Sequence, residues 1–411
     1  MLTEGGVCIK SCLNLLKLCV YGLITGVFGG LIGAAFVSLL TFVTGLRETS
    51  SWLILLLPLG SIITVIAYRA FGVGNHAGTN EIVLHLKNQE KIKGIIAPLI
   101  FISTAITQLF GGSAGKEGAA LQLGGAGSSA ISRLLKLKGD EQAVFIMSGM
   151  SATFAGVFGT PFTAAFFILE FKSRKKILSL AVLPCFISAI VAKQCVHLLN
   201  VTEEGMHLTQ PIAFSISGIG KVLVLAIAIS LVGVLVCFAF ENIQFWIKKA
   251  ISNPFTRALI FSFAVVVLTI CVGNMRYNGS GMDVIVEAIS GNANWYDFIL
   301  KLVFTTVTIA AGLKGGELVP TFCIGATFGC FLGGVLGLDL GLAAALGLIG
   351  IFCCATNSLI SAIILGVELF GFSLIPYAVI VCIVLWLLSA KNGLLENRFF
   401  TSPFWAKQSK R

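Results

Sequence analysis

Apolar runs of membrane-spanning length recur from Leu15 to Leu388, among them Leu53 to Ala67, Ile177 to Val191, Val222 to Phe238 and Ala258 to Val272. Polar residues gather in short stretches between these runs. The pattern predicts an all-α polytopic membrane protein of roughly ten to eighteen helical segments, many of them short or tilted. Within the runs, Gly22, Gly26 and Gly30, and later Gly329, Gly333, Gly337 and Gly341, repeat every four residues. Such a spacing lets helix backbones approach closely, and packing is the role it predicts.

Two stretches about 200 residues apart carry the same unusual features in the same order. The first reads Gly78-Thr79-Asn80-Glu81-Ile82-Val83, then Gly112-Ser113-Ala114-Gly115-Lys116-Glu117, then Leu121 to Ala126. The second reads Gly281-Met282-Asp283-Val284-Ile285-Val286, then Gly312-Leu313-Lys314-Gly315-Gly316-Glu317, then Thr321 to Ala326. Downstream, Pro161 to Glu170 answers Leu359 to Glu368, each an apolar stretch closed by a carboxylate. Four ordered landmarks at a near-constant offset point to an internal duplication, with a first repeat at about 14–200, a second at about 212–390 and a short tail at 391–411. A single transmembrane domain accounts for the chain, with no cytoplasmic regulatory domain.

Composition and charge sharpen this picture. Of 411 residues, 57% are hydrophobic and 11% charged, whereas soluble chains run near a quarter charged. The net charge of +10 does not point to nucleic acid, because Lys and Arg cluster in short loops such as Lys172 to Lys176. By the positive-inside rule, Lys10, Lys17, the loop Lys248 to Arg257 and the tail Lys407, Lys410 and Arg411 place both termini in the cytoplasm, and Thr202 to Glu204 outside. The start lacks a cleavable signal pattern, and a plasma (inner) membrane location is expected. The 12 cysteines lie mostly inside apolar runs, without a C-x-x-C or mixed Cys/His cluster, so they read as small hydrophobes; no metal or other cofactor is expected.

The chemistry concentrates in the Gly-Glu segments. An anion crossing a bilayer needs donors in place of water, and backbone N–H groups at a helix that begins at mid-depth supply them without the tight grip of a fixed cation. Glycines let the backbone approach the ion. Gly115-Lys116-Glu117-Gly118 and Gly315-Gly316-Glu317 have this form. A carboxylate at such a helix start competes with the anion for the same donors and can act as a gate. Burial and a nearby anion both favour its protonation, so Glu117 is expected to couple the anion to protons. The Thr79 hydroxyl could donate to an anion or serve as a local cap. Glu170 and Glu368, at the ends of apolar runs, read as structural.

At Gly115-Lys116-Glu117-Gly118 the chain resembles the CLC family of anion channels and antiporters, over nearly its whole length. Val157 to Pro161 running on to Glu170, and Gly315-Gly316-Glu317-Leu318-Val319-Pro320, resemble further elements of that family. Glu317, together with Ala355-Thr356-Asn357 leading to Gly366-Val367-Glu368-Leu369-Phe370-Gly371, is most like the fluoride/proton antiporter branch. The resemblance implies two inverted repeats with broken and re-entrant helices, a homodimer with one pathway per subunit, and export of fluoride in exchange for protons. It implies Glu117 as gating and proton-coupling residue, and an anion site among Gly78, Thr79, Asn80, Lys116, Gly118, Glu317, Leu318 and Val319. A protonated Glu317 would donate a strong hydrogen bond to fluoride. Three positions depart from the pattern. Thr79 stands where fluoride members carry Met or Asn and chloride members Ser, Val319 where the former often have Thr, and Leu395 where a central Tyr is expected. Phe171 stands where chloride/proton antiporters carry a second proton glutamate.

Two alternatives remain at this point. One is a chloride/proton antiporter or passive chloride channel on the same fold. The other is a membrane hydrolase using Ser113, because Gly111 to Gly115 fits G-x-S-x-G; the strand-to-helix setting of that motif is missing, and His76, His85, His197 and His207 have no recognisable catalytic context. A transporter or channel, not an enzyme, is the expectation.

Overall fold

In a computed structural model of the chain, residues 2–73, 79, 82, 92–171, 175–201, 206, 208 and 216–388 are described, the side chains of 2–12, 175, 216 and 217 excepted. Gly78, Asn80, Leu395, Thr202 to Glu204 and the tail therefore lie outside the described residues. The first half holds α1 (Leu2–Thr49), α2 (Leu57–Ala70), α3 (Ile96–Leu109), α4 (Glu117–Leu134), α5 (Gly139–Phe158), α6 (Pro161–Leu169) and α7 (Lys175–Leu198). The second holds α8 (Ile216–Phe238), α9 (Gln244–Ala250), α10 (Pro254–Val272), α11 (Met282–Ile289), α12 (Asp297–Ala310), α13 (Leu318–Leu336), α14 (Leu340–Thr356), α15 (Leu359–Phe370) and α16 (Ile375–Leu388). No strand longer than a single bridge occurs among the described residues.

Among the described residues, six helices are long and apolar enough to cross a membrane, and shorter apolar helices such as α3, α14 and α15 fill the space between them. The run Leu53 to Ala67 is not one regular helix: a 3₁₀ turn covers Ser51–Leu56, and α2 starts with Pro58 in its first turn. Proline lacks the N–H that would continue an α-helical ladder from the preceding turn. Leu231, Phe263 and Ile270 on α8 and α10 remain exposed, an outward face suited to hydrocarbon rather than water.

The duplication is visible in backbone conformation as well as in sequence. Left-handed residues recur at matching places: Gly111 (φ 79°) after α3 and Gly312 (φ 78°) after α12, Lys136 (φ 56°) and Gly337 (φ 62°), Gly159 (φ 76°) and Asn357 (φ 53°). In the first half α5 and α7 pack on α1, and in the second α14 and α16 pack on α8. The glycine ladder of α1 meets α7 directly. A Cβ at Gly22 would lie 2.9 Å from Ile187 Cβ, at Gly26 2.7 Å from Val191 Cβ, and at Gly30 2.5 Å from Cys195 Cβ. The packing role expected for these glycines follows from those distances. Gly329 and Gly333 press on Ala343 of α14 in the same way.

The two repeats are also tied by their carboxylates. Glu170, at the end of α6, accepts hydrogen bonds from Ile360 N (3.0 Å), Ser361 N (3.3 Å) and the Ser361 hydroxyl at the start of α15. Glu368, near the end of α15, accepts from Phe162 N (3.0 Å) and Thr163 N (2.6 Å) at the start of α6. Each repeat thus caps the other's helix. A carboxylate at a helix N-terminus satisfies donors that have no partner within the helix and meets the positive end of its dipole.

Two outcomes are expected for the purified protein. Glu170→Ala and Glu368→Ala each lower stability by about 1–2 kcal/mol in thermal unfolding in detergent; unchanged melting in both would show the reciprocal caps to be incidental. Gly26→Leu destabilises by about 1–3 kcal/mol through overpacking, whereas Gly45→Ala, whose added Cβ would meet nothing within 4 Å, does not lower stability and raises it by up to about 1 kcal/mol through helix propensity.

Candidate functional site

The two Gly-Glu segments meet. Gly115 N donates to Gly316 O at 2.7 Å and Gly316 N to Gly115 O at 2.6 Å, a two-residue antiparallel bridge between the repeats. From this bridge the chain runs into α4 in one repeat and α13 in the other, each opening on its Glu: Glu117 is the first residue of α4, and Glu317 the N-cap of α13. Only glycine fits at the contact. A Cβ at Gly316 would lie 2.6 Å from Gly118 N, and one at Gly118 would lie 3.0 Å from Gly316 Cα.

Helix geometry sets the electrostatics. The first acceptors inside the helices are Lys116 O, bonded by Ala120 N at 2.9 Å, and Glu317 O, bonded by Thr321 N at 3.1 Å. The N–H groups of Gly118 and Ala119, and of Leu318 and Val319, therefore have no partner within their helices. Two positive helix ends are held within a few ångströms of each other at a place closed off by Leu318 (4% exposed) and Val319 (0%). Such a place attracts negative charge.

Glu117 answers that field. Its side chain is fully buried, and Oε2 accepts from Lys116 N at 3.1 Å, so the carboxylate folds back over the start of its own helix. Lys116 is half-buried and lines a cavity on one side of the bridge. Glu317 is half-buried, and the charges of Lys248 and Lys314 act on it. Lys248 does not lie in a loop, as the charge pattern suggested, but in the last turn of α9. Lys248 and Lys314 are absent from the sequence-derived set. Lys314 carries a signal, since it stands three residues before Glu317 in the second Gly-rich segment.

Thr79 is brought to the same place: its Oγ1 donates to Gly118 O at 3.1 Å, in the first turn of α4. Its hydroxyl therefore ties Thr79 to the Glu117 helix. The structure thus brings together Thr79, Lys116, Glu117, Gly118, Glu317, Leu318 and Val319. Phe171 is buried, 3% exposed, against Phe167. Ser113 is fully buried, its Oγ 2.9 Å from Thr305 Oγ1 and its N–H donating to Thr308 Oγ1 at 2.9 Å. Its hydrogen bonds join the Gly115 segment to α12 and involve no histidine. The described residues include no cluster of three or more His, Cys, Asp or Glu that could hold a metal ion.

Comparison with known proteins agrees with this geometry. The family model described as voltage gated chloride channel matches residues 60–389. A chloride/fluoride channel protein of Pseudomonas syringae pv. tomato is 33% identical over 378 residues, covering 90% of this chain and 84% of that protein. An H(+)/Cl(-) exchange transporter, ClcA, of Vibrio cholerae is 24% identical over 274 residues, 62% of this chain and 58% of that one. The crystal structure of a CLC-type fluoride/proton antiporter superposes with a TM-score of 0.89 at 33% identity, covering 93% of this chain and 98% of that one. A slow cyanobacterial Cl-/H+ antiporter, at 17% identity and a TM-score of 0.79 over 91% and 94% of the chains, shares the fold. With inverted halves joined at paired Gly-Glu helix starts and a family match over most of its length, this multi-pass membrane protein belongs to the voltage-gated chloride channel family.

Proposed function

We propose that this protein exchanges halide for protons across the membrane and that fluoride, exported, is its physiological anion. The observation that carries the reading is Glu117, fully buried and folded onto the N-terminus of α4, one residue past the bridge that joins the repeats. The α4 and α13 N–H groups bind the anion, with Lys116 and Gly118 beside it. Glu117 competes with the anion for those donors. When Glu117 takes a proton it releases them, and when the anion leaves, the ionised carboxylate returns. A proton and an anion thereby move through one place in alternation. The likeness to a fluoride/proton antiporter at 33% identity supports fluoride, as does Glu317, which in its protonated form donates a hydrogen bond that fluoride accepts more strongly than chloride.

The same reading assigns the membrane orientation and assembly. The connection between α9 and α10, flanked by Lys248 and Arg257, faces the cytoplasm, as do both termini, in a plasma (inner) membrane. The working unit is a homodimer with one pathway per subunit.

Halide efflux from proteoliposomes loaded with fluoride or chloride, read together with internal pH, tests this. Wild type is expected to release fluoride while taking up protons, and Glu117→Gln to lose proton movement at least about tenfold. Chloride efflux at the same rate as fluoride, or halide efflux without protons in the wild type, would favour a chloride transporter or passive channel instead. Glu317→Ala should lower the fluoride-to-chloride rate ratio by about tenfold, the loss of one hydrogen bond to a charged acceptor. An unchanged ratio would remove Glu317 from selectivity.

A further inference from the structure

The segment that leads into the Gly115–Gly316 bridge is gripped at successive backbone groups. Gly111 O accepts from Asn278 Nδ2 at 2.6 Å, Gly112 O from Gly279 N at 3.1 Å, and Ser113 N donates to Thr308 Oγ1 at 2.9 Å. These partners all belong to the second repeat. The 277–279 turn is itself held by Lys301 of α12, fully buried, which donates to Tyr277 O at 3.1 Å and Gly279 O at 2.9 Å.

The last carbonyl before the bridge is held differently. Ala114 O accepts from Nε2 of Gln108, a side chain in the last turn of α3. Gln108 is 4% exposed, and its own backbone O accepts from Gly111 N at 3.2 Å and from Nη1 of the buried Arg47 at 3.2 Å. A carbonyl can only accept, so the amide nitrogen must face it. Burying a glutamine in an apolar helix is costly unless its polar atoms are bonded. The bond made here falls on the peptide next to the junction.

A trans peptide points its C=O and N–H in opposite directions. Gln108 holds the C=O of the Ala114–Gly115 peptide, and the N–H of the same peptide donates to Gly316 O at 2.7 Å. Glycine at 115 carries no side chain that would resist rotation of this unit. Without Gln108 the peptide is free to turn. On turning, it gives up its bond to Gly316 and sets one carbonyl against another. The second repeat has no counterpart to this amide. Ile309 stands three residues before the left-handed Gly312, as Gln108 stands three before the left-handed Gly111, and its side chain has no polar atom.

We propose that Gln108 is a positioning residue for coupled exchange. By fixing the Ala114–Gly115 peptide it keeps the two helix starts together, so that halide does not pass Glu117 unless Glu117 takes up a proton. This rests on the halide–proton exchange reading and adds a residue to it. Gln108 acts through the bridge and not on the ions.

The test is the proton-to-halide ratio in proteoliposomes for wild type, Gln108→Met and Gln108→Glu. A ratio does not depend on how much protein folds, so a purely structural role would lower total flux and leave the ratio unmoved. Gln108→Met keeps the length of the side chain and removes the donor. It should lower the ratio about three- to tenfold, the worth of one buried hydrogen bond, while halide still flows. Gln108→Glu regains a donor only when protonated. Its ratio, relative to wild type at the same pH, should therefore be low in alkaline buffer and recover in acid. The charged groups around this end of α3, among them Arg47, Glu48, Lys116 and Glu117, are common to wild type and variant, so their own titration cancels in that comparison. An unchanged ratio in folded Gln108→Met, or a Gln108→Glu ratio that tracks wild type in both buffers, overturns the proposal. Failure of both variants to fold also overturns it, since the amide would then serve the fold alone. A wild type that moves halide without protons overturns the exchange reading and the role of Gln108 together; a coupled wild type with equally coupled variants overturns the role of Gln108 alone.

Discussion

Two backbone hydrogen bonds between Gly115 and Gly316 are the constraint on which the molecule depends. They hold the starts of two helices, one from each repeat, side by side. Each helix start carries roughly half a positive charge. Two such ends within a few ångströms repel one another unless something negative lies between or beside them. The chain supplies Glu117 and Glu317 as the first acidic residues of these helices, and a passing anion can take the same part. In the proposed mechanism, binding and gating come from one geometric requirement, because the ion and the carboxylate compete for the same backbone donors.

The surroundings keep that junction in register. The glycine ladders let α1 lie directly on α7 and α13 on α14, so each half is stiff. Between the halves, Glu170 and Glu368 cap each other's helix starts, and Ser113 joins the Gly115 segment to threonines of α12. These contacts are polar, directional and buried or half-buried, and so they specify one relative placement of the repeats, which apolar packing alone would leave loosely determined.

Much of this was legible in the sequence because the relevant signals are local. The Gly-Glu segments, their near-constant offset and the glycine spacing within α1 and α13 predict what the fold shows, whereas Gly337, expected to pack, is the left-handed residue that ends α13. Glu170 and Glu368 could be read as structural, but not as each other's counterpart across the repeats, because a cap's partner is fixed by tertiary placement. The Thr79 hydroxyl is directed to Gly118 O for the same reason. Lys301 did carry a signal, since a lysine inside the apolar segment Phe298 to Ala310 is expensive in a membrane and marks a functional place. Its carbonyl partners, Tyr277 and Gly279, are 22 to 24 residues earlier in the chain and were not readable.

The central claim is that anion and proton share one junction and therefore move in strict alternation. Wild-type proteoliposomes given an outward fluoride gradient, equal pH on both sides and no membrane potential provide its most direct measurement. The account predicts that protons are driven inward, acidifying the lumen until the opposing pH difference balances what remains of the fluoride gradient. Fluoride that runs down its gradient while luminal pH stays constant would contradict it.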